Sequence, residues 1–145
     1  DRVAGRLDLA KQPGATDTIN TSEVDLAKAL EDLGGLDFAI DTSGVPRLIE
    51  AAVTALKNCG TCVLLGASHE SEVKLNVLPM ISGKVLRGVV NGDCDPNELI
   101  PKLADMYMAG EFPIDKFSAF YSLADINQAV ADSNSGKTIK PIIKF

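Results

Sequence analysis

The stretch Thr61-Cys62-Val63-Leu64-Leu65-Gly66-Ala67-Ser68 constrains the fold more than any other. Apolar residues run together without polar alternation and then stop at Gly-Ala-Ser. A strand with one wet face alternates, so this run predicts a strand covered on both faces, as in a parallel sheet. Leu36-Asp37-Phe38-Ala39-Ile40-Asp41-Thr42-Ser43-Gly44 repeats the pattern, a short apolar run followed by small and polar residues. Between them, residues 46–56 place Leu48, Ile49, Ala52, Val53 and Leu56 at helical spacing, and Pro46 suits a first helical position. Strand, helix, strand is a parallel crossover unit. Ligands of open parallel sheets sit beyond the carboxyl ends of the strands. Gly66 therefore falls where a ligand could lie against bare backbone.

The flanks extend this unit. Residues 3–12 have helical spacing that Pro13-Gly14 stops, and residues 15–21 hold a short strand candidate centred on Thr18-Ile19. Ser22 with Asp25 three residues on resembles a capping box with Asp in place of Glu. The helix it starts is expected to bury Val24, Ala27, Leu30 and Leu33 and to end at Gly34-Gly35. Residues 69–74 read as loop and residues 75–81, with Pro79, as a short helix or turn. Residues 84–91 read as a strand ending at Asn91-Gly92. A helix over residues 98–109, capped by Asn97, keeps Pro101 in its first turn, where amide donors have no intrahelical partner. A last helix from Ser122, expected to bury Leu123, Ile126 and Val130, ends near Gly136, and residues 139–145 form a final strand. The sum is α/β: a partial, doubly wound, Rossmann-type parallel sheet with a helical return and a last strand. Residues 1–91 are expected to form one part and residues 92–145 the return segment.

The formal charge of −6 argues against a nucleic-acid partner, because neutralising phosphates needs a basic surface. No apolar run approaches the roughly 18 residues of a membrane span. Three cysteines do not suggest a disulfide scaffold, so a reducing cytoplasm is expected. Cys59-Gly60-Thr61-Cys62 invites a zinc or redox reading. A zinc site needs about four ligands, and this motif enters a strand rather than opening a helix, so structural cysteines are expected. His69, alone in a loop, is expected at the solvated rim. Asp41 at a strand end could be a general base, but a loop-orienting role fits better.

Asp1-Arg-Val-Ala-Gly-Arg-Leu-Asp-Leu-Ala-Lys-Gln-Pro-Gly-Ala15 resembles the stretch after the second coenzyme-domain strand of medium-chain, zinc-dependent alcohol dehydrogenases. The resemblance continues through Phe38-Ala-Ile-Asp-Thr-Ser-Gly44, Leu64-Leu-Gly-Ala67, Leu86-Arg-Gly-Val-Val90 and Gly136-Lys-Thr-Ile-Lys-Pro-Ile-Ile-Lys-Phe145. Phe112-Pro-Ile-Asp115 and the closing Lys-Pro-Ile-Ile-Lys are most similar to aryl-alcohol (benzyl-alcohol) dehydrogenases. The resemblance implies an oxidoreductase that transfers hydride from a zinc-bound alkoxide to NAD, turning aromatic primary alcohols into aldehydes. Asp1 would accept hydrogen bonds from the adenosine ribose, favouring NAD because a carboxylate repels a 2′-phosphate, and Arg6 would lie near the same ribose. Thr42 and Ser43 would pack against the adenosine side and the nicotinamide ribose. Leu65, Gly66 and Ala67 would line the nicotinamide, Val89 and Asn91 would hold its carboxamide, and Lys140 would reach the pyrophosphate. The strand at residues 85–90 would pair subunits in a homodimer or homotetramer.

Two family features are missing. None of the twelve glycines forms Gly-x-Gly-x-x-Gly, which would lie about 20 residues before Asp1. The family's catalytic and structural zinc ligands would also lie upstream, so this chain is expected to supply coenzyme and dimer contacts only and to be inactive alone. Two alternatives stay open: a zinc-free, NADPH-using quinone reductase-like member of the superfamily, and a non-catalytic nucleotide-binding or oligomerisation module. If the first two family strands are absent, residues 15–20 and the strand at residues 38–41 lose their neighbours. The chain would then move its first strand beside the next, pair with another molecule, or leave residues 1–35 loosely packed.

Overall fold

The computed structural model describes residues 1–70 and 72–145. They form two compact units, Asp1–Asp93 and Cys94–Phe145. The first contains α1 (Ala4–Lys11), α2 (Leu26–Asp32), β1 (Leu36–Asp41), α3 (Pro46–Ala55), β2 (Leu56–Leu64) and β3 (Val85–Gly88). The three strands form one parallel sheet in the order β1-β2-β3, with Ile40 opposite Val63 and Val63 opposite Arg87. The crossover predicted from the two apolar runs is present. Pro46 occupies the first turn of α3, where its missing amide costs nothing.

One face of the sheet holds the core. Ile49 and Val53 of α3 pack with Leu56 and Cys62 of β2, and Leu36, Ala39, Leu64 and Leu86 close around them. Each fully buried aliphatic side chain contributes roughly 1.5–3 kcal/mol relative to exposure. Lys84 Nζ donates to the carbonyls of Val53 and Thr54, satisfying the carboxyl end of α3 from outside the helix. The opposite face differs from the expected double cover. Phe38 and Ile40 alternate with the inward-facing Ala39 and remain 78% and 70% exposed. Among the described residues β1 pairs only with β2.

Several boundaries depart from the sequence reading. β2 begins at Leu56, and its register jumps from Leu36↔Leu56 to Phe38↔Thr61, so residues 57–60 bulge. Cys59 takes φ +62°, and a Cβ on Gly60 would meet the Leu36 and Lys57 carbonyl oxygens at 3.0 Å. The polar Lys57-Asn58 pair hides this early start from an apolar pattern. Residues 15–20 form no strand. Main-chain bonds tie this region to the start of the chain, from the Asp1 amino group to Ile19 O (3.1 Å), from Thr21 N to Asp1 O (3.0 Å) and from Ala15 N to Ala10 O (3.1 Å). The cap of α2 is Asp25, which accepts from Lys28 N at 2.9 Å, rather than Ser22. Asp25 directly precedes the first helical residue, whereas Ser22 lies three positions further upstream. Of the residues expected to be buried there, Leu30 is buried, while Val24, Ala27 and Leu33 are exposed, and α1 buries none. β3 stops at Gly88, because residues 91–93 turn with positive φ. The turn expected at residues 75–81 is a 3₁₀ turn, Leu78–Ser82.

The second unit contains α4 (Pro96–Met108), β4 (Ser118–Ser122), α5 (Ile126–Asn134) and β5 (Lys140–Lys144). β4, absent from the sequence reading, pairs in parallel with β5, so α5 is a second, smaller crossover. Asp95 rather than Asn97 caps α4, accepting from Asn97 N at 2.8 Å. Pro101 therefore lies in the helix interior and has no amide to offer the Asn97 carbonyl. A 3₁₀ turn, Leu123–Asp125, precedes α5, and Ser122 Oγ donates to Asp125 Oδ2 at 2.6 Å. α5 buries Ala129 and Asp132, whereas Leu123, Ile126 and Val130 stay exposed. No helix among the described residues is long and apolar enough to cross a membrane.

Candidate coenzyme site

The carboxyl end of β1 is organised by Asp41, which is buried. Its Oδ1 accepts from Ser43 Oγ at 2.6 Å and Ser43 N at 3.2 Å, and its Oδ2 accepts from Gly44 N at 2.8 Å. Ser43 Oγ in turn accepts from Val45 N at 3.1 Å. The carboxylate thus folds the turn between β1 and α3, the loop-orienting role expected for it. The Asp41 carbonyl accepts the amides of Leu65 (2.9 Å) and Gly66 (3.0 Å), which continues the β1–β2 pairing past the end of β2.

The two strand-end loops interlock through glycine. A Cβ on Gly66 would lie 2.3 Å from Gly44 N and 2.4 Å from the Thr42 carbonyl carbon. A Cβ on Gly44 would lie 2.5 Å from the Ala67 carbonyl carbon, and Gly44 also has φ +67°. Ser68 Oγ donates to Gly44 O at 2.7 Å and ties the same loops together. The bare side of Gly66 is therefore filled by the backbone of residues 42–44, which alone accounts for a glycine here. Leu65 and Ala67 are exposed beside it.

Asp1 and Arg6 come together at the opposite side. Asp1 Oδ1 accepts from Arg2 N (2.6 Å) and Val3 N (2.9 Å), while Oδ2 lies 3.8 Å from Arg6 Nη1. Arg6 Nε is buried and has no hydrogen-bond partner. Asp1 Oδ2, held only by the ion pair with Arg6, is thus left to accept from an outside group. A groove of about 750 Å³ connects this edge to the β1 loop; Asp1, Ile19, Ile40, Thr42, Ser43 and Val45 line it. Arg2 and Arg47 line it too. The sequence reading does not single them out, and the one hint for Arg47 is its place directly after Pro46. Carboxylate, hydroxyls and aliphatic walls together suit the ribose and base of a nucleotide.

The other expected site residues lie outside this groove. Val89 N donates to Leu64 O at 3.2 Å, beside the end of β2, and Asn91 occupies the turn with φ +50°. Arg87 and Asp93 form an ion pair across that turn. Lys140 is the exposed first residue of β5, in the second unit, opposite Ser118. His69 is exposed in its loop. No group of three or more His, Cys, Asp and Glu among the described residues is placed to hold a metal ion.

The Cys-x-x-Cys pair is split by the bulge. Cys59 is exposed with Sγ 3.7 Å from Ser82 O, whereas Cys62 is fully buried in the core. Burial pushes the Cys62 thiol pKa up, and the nearby Asp41 charge adds to this. An alkylating reagent is expected to label Cys59 readily and Cys62 at least ~100-fold more slowly, through opening of the sheet. Mass spectrometry of a labelling time course checks this, and comparable rates would show that the core opens easily.

A parallel crossover sheet with a groove at its carboxyl edge defines a Rossmann-like, coenzyme-binding α/β domain. Residues 1–107 match the family model described as zinc-binding dehydrogenase, and the chain belongs to that family. It is 33% identical over 147 aligned positions to a geraniol dehydrogenase of Castellaniella defragrans, covering 98% of this chain and 39% of that protein. Among solved structures it resembles benzyl alcohol dehydrogenase from Acinetobacter calcoaceticus, with 39% identity, a TM-score of 0.95, and coverage of 100% of this chain and 41% of the other. A zinc-binding alcohol dehydrogenase domain protein from Burkholderia ambifaria is similar at 39% identity and TM-score 0.95, covering 100% of this chain and 40% of that one. The chain thus spans about two fifths of the length of these relatives.

Proposed function

We propose that this chain is the coenzyme-binding part of an NAD-dependent alcohol dehydrogenase that oxidises aromatic primary alcohols to aldehydes. The observation that carries the reading is the groove shared by Asp1, Thr42 and Ser43 at the carboxyl end of β1. The likeness over the whole chain to a benzyl alcohol dehydrogenase supports the substrate class. Asp1 Oδ2 accepts a ribose hydroxyl and disfavours a 2′-phosphate by charge, while Thr42 and Ser43 hold the adenosine side. Leu65, Gly66 and Ala67 present backbone toward the nicotinamide, and Val89 and Asn91 toward its carboxamide. Bound there, NAD would supply the hydride acceptor. The described residues hold no group placed for zinc, and the part proposed for this chain is coenzyme binding rather than the chemical step. β3 is the outer strand of the sheet among the described residues, an edge suited to subunit pairing, and the working compartment is the cytoplasm.

Calorimetric titration with NADH and NADPH, on the protein and on its Asp1→Ala variant, tests the reading. NADH is expected to bind the unmodified protein more tightly than NADPH. A charge-assisted hydrogen bond contributes about 1.5–3 kcal/mol, so the variant should lose roughly tenfold or more in NADH affinity. Tighter NADPH binding would instead favour the quinone reductase-like alternative. NADH binding without turnover of benzyl alcohol in the longer protein would leave a nucleotide-binding or oligomerisation module.

A further inference from the structure

The turn after β3 holds an ion pair that none of the roles above uses. Arg87 stands on β3, and Asp93 closes the turn six residues on. Asn91, Gly92 and Asp93 have φ +50°, +69° and +55° in succession. Only the middle one is glycine, so two side chains sit on backbone that L residues rarely adopt, although Asn and Asp tolerate it better than most. Asp93 holds the chain in that shape from its far end. Its N–H donates to Val90 O at 2.8 Å, its Oδ1 accepts from Val90 N at 3.3 Å, and its Oδ2 pairs with Arg87 Nη2. Both main-chain groups of Val90 are thus committed to one aspartate. On the other side Val89 N donates to Leu64 O at 3.2 Å, which fastens residue 89 to the end of β2, directly before Leu65-Gly66-Ala67.

Arg87 and Asp93 are both exposed, and an exposed ion pair adds little to stability. A fold-stabilising role therefore accounts poorly for this one. What the pair constrains is local: it ties the strand before the turn to the residue that ends it, and narrows the paths open to residues 89–91 between them. A planar carboxamide is recognised by donors and acceptors at fixed spacing, so main chain that binds it gains affinity when it is held in one conformation beforehand. Strained backbone persists only where its surroundings over-determine it, and such places collect at ligand clamps. We infer that Asp93, with Arg87, is a positioning residue for coenzyme binding: by clamping Val90 it presents the main chain of residues 89 and 91 to the nicotinamide carboxamide. The inference rests on the reading of Val89 and Asn91 as the residues that hold that group.

Two coenzymes that differ only at the carboxamide separate the inference from that reading. NAD and its 3-acetylpyridine analogue, in which a methyl replaces the amide nitrogen, are titrated calorimetrically into the protein and its Asp93→Gly and Arg87→Met forms. The unmodified protein is expected to bind NAD about fivefold more tightly than the analogue, the effect of one hydrogen bond from the amide nitrogen to main-chain oxygen. Asp93→Gly keeps positive φ accessible and removes the side-chain clamp. It should weaken NAD about threefold to fivefold and leave the analogue unchanged, so that the preference largely disappears. Arg87→Met leaves Asp93 bonded to Val90 and should follow the same pattern at about twofold, which carries the test if Asp93→Gly fails to fold. Equal losses for both coenzymes, or no loss for either, would overturn the positioning role while leaving the carboxamide contact in place. Equal affinities for the two coenzymes in the unmodified protein would overturn the carboxamide reading and the inference built on it.

Discussion

Gly66→Ala is expected to destabilise the first unit by about 3 kcal/mol, near the upper end of what overpacking costs. The added methyl would have to occupy a point 2.3 Å from Gly44 N and 2.4 Å from the Thr42 carbonyl carbon. Both neighbours are backbone, so no rotamer change can make room. The Thr42–Gly44 backbone would have to move, and Asp41 holds it through Ser43 and Gly44. Relief would therefore break hydrogen bonds as well as shift atoms. A control is built into the same sheet: a Cβ on Gly88 has nothing within 4 Å. Gly88→Ala should be close to neutral or slightly stabilising, since it only restricts the unfolded chain. Denaturant midpoints at unchanged slope measure both. A Gly66→Ala midpoint equal to that of Gly88→Ala would show that the two loops are not interlocked. The same variant should also weaken NADH binding, because residues 42 and 43 line the groove.

How far the sequence revealed this arrangement depended on how local the signal was. The crossover of β1, α3 and β2 was legible because apolar period, Pro46 and the small residues after each strand all point the same way. Helix stops were legible for the same reason: Gly34, Gly110 and Gly136 have positive φ at the ends where they were expected. Caps were less so, since Ser22 and Asp25, or Asn97 and Asp95, are equivalent on paper and only the observed first helical residue chooses between them. β4 was missed because Ser118 to Ser122 is short and begins and ends with serine, and its partner lies some twenty residues on. Burial in α2 and α5 was overestimated, because amphipathic spacing shows which face is apolar but not whether anything covers it. For the site, strand-end position brought Gly66 forward and the resemblance Thr42 and Ser43, and the structure places the backbone of residues 42–44 against Gly66. The interlock of Gly66 with Gly44 was not readable, since it depends on an atom-level approach between two loops. Nor were the bonds that buried Asp132 accepts from Gln128, Tyr121 and Lys137, which meet only through the second crossover.

Asp41→Ala is the other change with a large expected effect, again about 3 kcal/mol. The carboxylate satisfies three donors, Ser43 N, Ser43 Oγ and Gly44 N, the last of them buried. Leaving buried donors unpaired costs about 1–3 kcal/mol each, and water can reach only part of this turn. Asp41→Asn is the more informative variant. It keeps the shape and can still accept from Ser43, but its amide nitrogen would face the Gly44 N–H, donor against donor. About 2 kcal/mol of stability should go, together with part of the NADH affinity, because the Thr42-Ser43 wall of the groove is no longer held. The competing role for a carboxylate at a strand end is proton transfer. That role makes the opposite forecast for Asp41→Asn: turnover of the longer protein abolished, with the denaturant midpoint and NADH affinity intact. The hydrogen bonds favour the first outcome, since both carboxylate oxygens are already committed to the turn and neither is free to take up a proton from a substrate.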